Sequence, residues 1–308
     1  MERVVVLAGG MSYEREVSLS SGRRVADDLK AAGLDVEIRE ADSALLSALA
    51  DDPPDFVFPV LHGAEGEDGA IREVLEMLRL PYIGSRPDAC RLAWDKPTAK
   101  ALVRAAGLAT PDSVTLPKAI FHDLGAATLL DAVVAKLGLP LFVKPTRGGS
   151  ALGASVVGSA ADLPAAMIGC FSYGDVALIE RFVIGTEVAV SVIDLDGTPT
   201  ALPAVEIVPL GERYDYTARY TAGQTEFLTP ARLTDQAASA AHEAALLAHR
   251  ALGLRHLSRT DLIVTPDDTA WFLEANVAPG MTETSLLPLA LHAAGLDLAL
   301  FRTVQRET

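Results

Sequence analysis

Apolar positions along the chain fall into short runs of two kinds. Residues 3–8 and 55–61 are continuous apolar stretches that stop at Gly9-Gly10 and at His62-Gly63. That is the pattern of parallel strands buried on both faces. Residues 18–32 have helical spacing and 36–38 form another short strand. After Gly66-Glu67-Asp68-Gly69, a helix runs to Leu78, and Pro81-Tyr82-Ile83-Gly84 closes a first α/β unit near residue 90.

A second unit follows, with helices over 96–106, 127–137 and 160–169 and strands at 113–116, 141–144, 154–157 and 178–180. From about Glu187 the pattern changes to longer alternating strands, 188–193 and 201–208, joined by the turn residues Asp194-Leu195-Asp196-Gly197. Residues 211–229 are polar and tyrosine-rich with no clear period, and read as one long loop, either a lid or disordered. A helix over 237–252 leads into a hairpin made of 261–264 and 270–274, turning at Pro266-Asp267-Asp268-Thr269.

Composition narrows the field. The 308 residues are 50% apolar and 6% aromatic, enough for two or three compact units with real cores. Acidic residues outnumber basic ones 41 to 26 for a net charge of −15, which argues against nucleic acid or an anionic membrane surface as partner. Cys90 and Cys170 lack metal-type spacing and suit buried thiols in a reducing compartment. No apolar run reaches the roughly 18 residues of a membrane span, so the chain reads as cytoplasmic.

The chemistry concentrates in the last hairpin. If its strands pair symmetrically about Asp267 and Asp268, Asp261 faces Glu274 and Arg259 faces Asn276. Alternation then puts all four side chains on one face. Two carboxylates and an amide oxygen suit a hard cation such as Mg²⁺, and the guanidinium suits an anion or a developing oxyanion. A solvated charged face would look similar. Lys144-Pro145-Thr146-Arg147-Gly148-Gly149-Ser150 delivers a lysine into a glycine-rich turn able to cradle an anion, or simply a tight hairpin. The edge Leu178-Ile179-Glu180-Arg181-Phe182-Val183 with Glu187 can hold an adenine and ribose, or join two domains structurally. Glu14 and His62 lie just past the ends of parallel strands, where open α/β sheets bind ligands. Gly9-Gly10-Met11-Ser12-Tyr13 lacks the G-x-G-x-x-G spacing of a dinucleotide site. Tyr214, Tyr216, Arg219 and Tyr220 sit on the long loop and could close over a polyphosphate, or anchor the loop by packing.

Eight such motifs, spread over the whole chain and in order, resemble the D-alanine–D-alanine ligase family of ATP-grasp enzymes. They include Gly9 to Ser18, His62-Gly63-x-x-Gly66-Glu67-Asp68-Gly69, Asp95-Lys96, the Lys144 loop, Arg259-x-Asp261 and Leu273-Glu274-Ala275-Asn276-x-x-Pro279-Gly280-Met281-Thr282. The resemblance implies an α/β, three-domain ATP-grasp fold, with a parallel N-terminal substrate-binding domain (1–92) and two α+β domains (93–183 and 184–308) that clasp ATP. It implies ligation of two D-alanines through a D-alanyl acyl phosphate, for peptidoglycan precursors. Lys96, Lys144, Glu180, Phe182, Val183, Glu187 and Arg219 would bind ATP. Asp261, Glu274 and Asn276 would hold two Mg²⁺ ions, with Mn²⁺ as a substitute. Arg259 and the Gly280 N–H would stabilise the tetrahedral oxyanion. Glu14, with His62 nearby, would hold the first ammonium, and Ser285 with the Leu286 N–H the second carboxylate. Glu14, Ser150 and Tyr220 would pin the closed lid. Relatives are usually dimers, so a homodimer is expected.

The chain departs from the family's usual residues at several positions. Arg219 replaces a lysine, Ala151 a serine, Val277 a threonine and Trp94 a methionine, while Arg72-Glu73 replaces Gln-Gly. Two rival functions remain open: joining other small D-amino acids in secondary metabolism, and a nucleotide-binding module without catalysis. Tyr220, where depsipeptide-forming relatives carry histidine, favours an amine nucleophile. With few apolar anchors, the lid is expected to be mobile without ligands.

Overall fold

The computed structural model describes residues 2–211 and 223–303 of the chain. Arg219, Tyr220 and most of the expected lid lie outside the described residues.

The first sheet is parallel, in the order β2-β1-β3, from β1 (Arg3–Ala8), β2 (Asp35–Glu40) and β3 (Phe56–Pro59). Both faces of β1 are covered, which explains its unbroken apolar run. Val4, Val6 and Ala8 face helix α1 (Arg15–Ala31), while Val5 and Leu7 pack with Leu45 and Leu49 of helix α2 (Leu45–Asp51) and with Leu75. Gly22 lets α1 lie close to the sheet, since a Cβ there would fall 2.5 Å from the Ala8 methyl. Helix α2 is too short and too lightly patterned to have been evident from spacing. Helices α3 (Ala64–Glu67) and α4 (Ala70–Met77) follow β3, and α3 forms where the sequence suggested only a turn.

Helix α5 (Pro87–Trp94) was also not anticipated. Pro87 opens it, and its apolar side enters the core of the third sheet. Asp95 then caps helix α6 (Lys96–Ala105), accepting from the Thr98 N–H. The second sheet, β4-β7-β5-β6, is antiparallel and built from β4 (Ser113–Pro117), β5 (Leu141–Pro145), β6 (Ser155–Val157) and β7 (Val176–Arg181). Helices α7 (Lys118–Leu124), α8 (Ala126–Leu137) and α9 (Leu163–Phe171) accompany it. Leu141, Val143, Ala177 and Ile179 pack with α8 and α9, leaving Phe142, Lys144 and Glu180 on the opposite face.

The third sheet is built from β8 (Thr186–Asp194), β10 (Val205–Pro209), β11 (Thr225–Leu228), β12 (His256–Val264) and β13 (Ala270–Asn276) in the order β11-β10-β8-β12-β13, with β9 (Thr200–Ala201) beside β8. The expected hairpin is present, but its second strand is split into β9 and β10 (Val205–Pro209) around Pro203, which has no N–H to donate. Strand β11 (Thr225–Leu228) pairs with β10 inside the stretch read as loop. As an edge strand with half-exposed residues, it carries little pattern. Val188, Val190 and Val192 pack under helix α10 (Asp235–Ala251). The opposite face of β8, at Ala189, joins the core of the first sheet together with helix α11 (Leu286–Ala293) and Phe301. First and third sheets therefore share one core.

Candidate active site

Strands β12 (His256–Val264) and β13 (Ala270–Asn276) form the hairpin that carries the chemistry. Asp261 faces Glu274 and Arg259 faces Asn276, as the symmetric pairing predicts. The turn, however, is centred on Asp267 rather than between Asp267 and Asp268, with Val264 opposite Ala270 and Leu262 opposite Phe272. A β-bulge absorbs the difference at Leu273. Without it, Glu274 would share the face of Phe272, which is fully buried under α10. With it, Leu273 and Glu274 both line the cleft. The uninterrupted alternation expected from sequence is thus corrected: one extra residue turns Glu274 out of the core.

That cleft, of about 300 Å³, lies between the second and third sheets. It is lined by Phe142, Lys144, Phe182, Val183 and Ile184 on one side and by Glu187, Asp261, Ile263 and Glu274 on the other. The Phe182 N–H is taken by the Pro140 carbonyl at 3.0 Å. Lys96 donates to the Gly148 carbonyl at 2.6 Å and pairs with Glu274 at 3.3 Å, tying the glycine-rich loop to the hairpin. Glu180 is buried between Lys144, at 2.9 Å, and Lys100. Burial works to raise the Glu180 carboxyl, but the two lysines hold it below the usual range. Burial also works to lower Lys144, and Glu180 and Glu274 together hold it above its ordinary value.

Arg259 grips Asp261 through two parallel bonds of 2.7 and 2.8 Å. This fork fixes the carboxylate while leaving each oxygen further lone pairs. Asn276 accepts from the Ala278 N–H at 2.7 Å, so its amide oxygen is held in place. Among the described residues no cluster of three or more His, Cys, Asp or Glu side chains gathers. The donor set is two carboxylates and one amide. That set fits Mg²⁺, which takes few protein oxygens and completes its shell with water and phosphate.

Ser150 and Ala151, both at left-handed φ (54° and 55°), form the tip of the glycine-rich loop. The Ser150 hydroxyl donates to Glu14, which precedes α1. Beyond Glu14 lies a connected set of neutral groups. His62 Nδ1 meets the Ala278 carbonyl at 3.0 Å, so Nδ1 carries the hydrogen and donates. Its Nε2 then accepts from Ser21 Oγ at 3.3 Å, and Ser21 Oγ accepts from the Met281 N–H at 3.1 Å. Burial keeps the imidazole pKa below its ordinary value, and Glu14 pulls the other way. Both ring nitrogens are therefore engaged in holding the 278–281 loop. Ser285 Oγ accepts from the Thr282 N–H at 3.0 Å, and a Cβ at Gly280 would fall 2.7 Å from it. Leu286 opens α11 directly after.

Sequence reasoning passed over Lys100 and Ser21, and it named Glu67 and Arg72 only within a motif and as a departure, without a role. Lys100 lies one helical turn beyond Lys96, a spacing that could have drawn attention. Glu67 is buried beside Glu14, accepts from the Gly63 N–H at 2.9 Å, and is pushed up to about 8, by burial first and Glu14 second. Arg72 is buried and donates to the carbonyls of Gly66 and, at 3.4 Å, Val277. Two of the departures from the family pattern thus meet in space. Cys90 and Cys170 are buried free thiols, as expected.

Comparison with known proteins agrees with this geometry. Residues 102–302 match the family model described as D-ala D-ala ligase C-terminus, and residues 42–85 match D-ala D-ala ligase N-terminus. A D-alanine–D-alanine ligase of Anaeromyxobacter sp. (strain K) is 42% identical over 298 residues, covering 97% of this chain and 93% of that one. The crystal structure of D-alanine–D-alanine ligase from Bacillus anthracis complexed with ATP superposes with a TM-score of 0.82 at 28% identity, covering 99% of this chain and 96% of that one. The VanG D-Ala:D-Ser ligase from Enterococcus faecalis gives 0.82 at 28%, covering 99% of both. With a hairpin, glycine-rich loop and cleft disposed in this way, and with relatives of such identity along nearly its full length, the chain belongs to the D-alanine–D-alanine ligase family of ATP-grasp enzymes.

Proposed function

We propose that the protein joins two D-alanines at the expense of ATP, through a D-alanyl acyl phosphate, to supply D-alanyl-D-alanine for peptidoglycan precursors. The observation that carries this reading is the placement of the glycine-rich loop. Gly148, Gly149 and Ala151 line the cleft, while Ser150 between them bonds Glu14 on the amino-acid side. A γ-phosphate under that loop would lie next to a carboxylate held at Glu14.

In this reading the nucleotide occupies the cleft, its base against Phe182 and Val183 and its ribose at Glu187. Lys96, Lys144 and Arg219 meet the phosphates. Glu180 faces the base while compensating the lysines. Asp261, Glu274 and Asn276 would hold Mg²⁺, which would supply positive charge against the phosphates during phosphoryl transfer. Glu14 takes the ammonium of the first D-alanine, and the carboxylate of that D-alanine attacks the γ-phosphate and releases ADP. Ser285 and the Leu286 N–H take the second carboxylate, and that molecule's amine displaces phosphate. Arg259 and the Gly280 N–H face the oxyanion, a contribution of about 3–4 kcal/mol per donor. His62 acts by holding the 278–281 loop, and Tyr220 by closing on Glu14 and Ser150. We read the chain as three units, 1–92, 93–183 and 184–308, each centred on one sheet.

The test is phosphate release from Mg-ATP with D-alanine, D-serine, L-alanine, D-alanine plus D-lactate, or no amino acid, with products identified by mass. Release that needs D-alanine and yields its dipeptide is the expected result. Preference for D-serine, named in the Enterococcus relative, would move the specificity to other small D-amino acids. Tight nucleotide binding with no turnover would favour the binding module. No described helix is long and apolar enough to cross a membrane. We place the enzyme in the cytoplasm as a homodimer, which sedimentation of the purified chain tests.

A further inference from the structure

Glu180 has one more lysine than it needs. Its Oε2 accepts from Lys144 at 2.9 Å and its Oε1 from Lys100, and all three side chains are buried. Glu180 and Lys144 both line the cleft, but Lys100 does not. It reaches the carboxylate from behind, out of α6, with 1% of its side chain exposed. A bound molecule in the cleft can therefore touch Lys144 but not Lys100. Burial brings the Lys100 ammonium down to about 8 against the pull of Glu180, so it still carries its charge near neutrality.

A single lysine on a buried carboxylate would form a closed pair. Drawing it away onto a ligand would strand a carboxylate in a medium of low dielectric, next to the ligand's own negative charge. A second lysine behind the carboxylate removes that penalty. We propose that Lys100 is a positioning residue for nucleotide binding: it holds Glu180 from behind so that Lys144 can swing from Glu180 onto a phosphate of the nucleotide. The inference rests on the reading of the cleft as the ATP site. It assigns Glu180 a function distinct from recognising the base, that of parking Lys144 when no phosphate is present.

Lys100→Met leaves a neutral Lys144–Glu180 pair, so the fold should persist, but Lys144 is now locked. The dissociation constants of ATP and ADP, measured by calorimetry without amino acid, should rise by about tenfold or more. The turnover number at saturating ATP should change less than about threefold, because Lys100 touches no reacting atom. Adding Glu180→Gln removes the charge that locks Lys144, and the double variant should bind nucleotide more tightly than Lys100→Met alone. A residue that merely fills space would give the opposite pattern, a lower melting temperature with unchanged affinity. Lys100→Gln, which still offers the carboxylate one neutral hydrogen bond, should shift affinity in the same direction by less, and serves if the methionine variant fails to fold. Unchanged affinity in either single variant, or a double variant as weak as Lys100→Met, would overturn the proposal alone. Failure of the unaltered chain to bind any nucleotide would overturn the functional reading and this proposal with it.

Discussion

Under the proposed function, the nucleotide end and the amino-acid end of the site treat buried acids in opposite ways. At the nucleotide end Glu180 is ionised, clasped between Lys100 and Lys144 and held below the usual carboxylate range. At the amino-acid end Glu67 is equally buried but has Glu14 and the Gly63 N–H for company, and its pKa rises to about 8. His62, also buried there, stays neutral and spends both nitrogens on hydrogen bonds. On the proposed reading, a polyanion needs cations ready to change partners, and charge is stored there in compensated form. Zwitterions the size of alanine need one ionised carboxylate in a fixed place, and a surplus of negative charge around it would only blur the site. The contrast points to the amino-acid side as the one whose protonation changes near neutrality.

The harshest way to break the nucleotide end is Glu274→Ala. Turnover dependent on Mg²⁺ should fall by about a thousandfold or more while the circular dichroism spectrum and melting curve stay close to the parent's. Persistence of even a tenth of the activity would remove Glu274 from the metal site. Next comes Arg259→Met, which deprives Asp261 of its fork. The expected loss in the turnover number is about 10²–10³-fold, with a drop in stability from the unpaired buried carboxylate. If only stability changes, Arg259 is scaffolding for Asp261 and no oxyanion donor.

At the amino-acid end, Arg72→Met removes the bridge between the Gly66 and Val277 carbonyls. Each loses a charged donor, so denaturant unfolding should report about 2 kcal/mol less stability. An unaltered unfolding midpoint would mean that water replaces the guanidinium there. The subtlest test concerns Glu67. Its carboxyl is pushed up to about 8 when folded and returns to its ordinary 4.5 when unfolded, so between those values the folded chain keeps a proton the unfolded chain has lost. Stability therefore falls as pH rises across that window. In Glu67→Gln the fall should be shallower when melting temperatures are compared at about pH 5 and about pH 8. Parallel pH profiles for the two proteins would show Glu67 to be ionised after all, and the contrast between the ends would collapse.

Much of this site was legible because its chemistry sits on short local patterns. The pairing of Arg259 with Asn276 and of Asp261 with Glu274 follows from strand period and a turn between them. Yet the sequence placed the turn between Asp267 and Asp268 instead of on Asp267 and did not reveal the bulge at Leu273, and the two errors cancelled. Phe272 holds the lesson: strict alternation would have put it on the site face, and its complete burial under α10 forces the extra residue. What stayed hidden was of another kind. Lys100 meets Glu180 across 80 residues, Ser21 meets Met281 across 260, and Arg72 reaches Val277 across 205. No local period encodes such meetings, because they arise only when the sheets pack. Helix α5 and strand β11 were missed for a simpler reason: each is short and its apolar face is narrow.

The shared core of the first and third sheets also bears on how the chain is made. Phe58 at the end of β3 stacks edge-to-face on Phe301, ring centres 5.3 Å apart, and α11 covers the same apolar surface. A ribosome delivers β1 and β3 long before it delivers Phe301. During that interval α1 covers part of this face, but the apolar surface around Phe58 still lacks its C-terminal cover, and stalled synthesis there would invite aggregation.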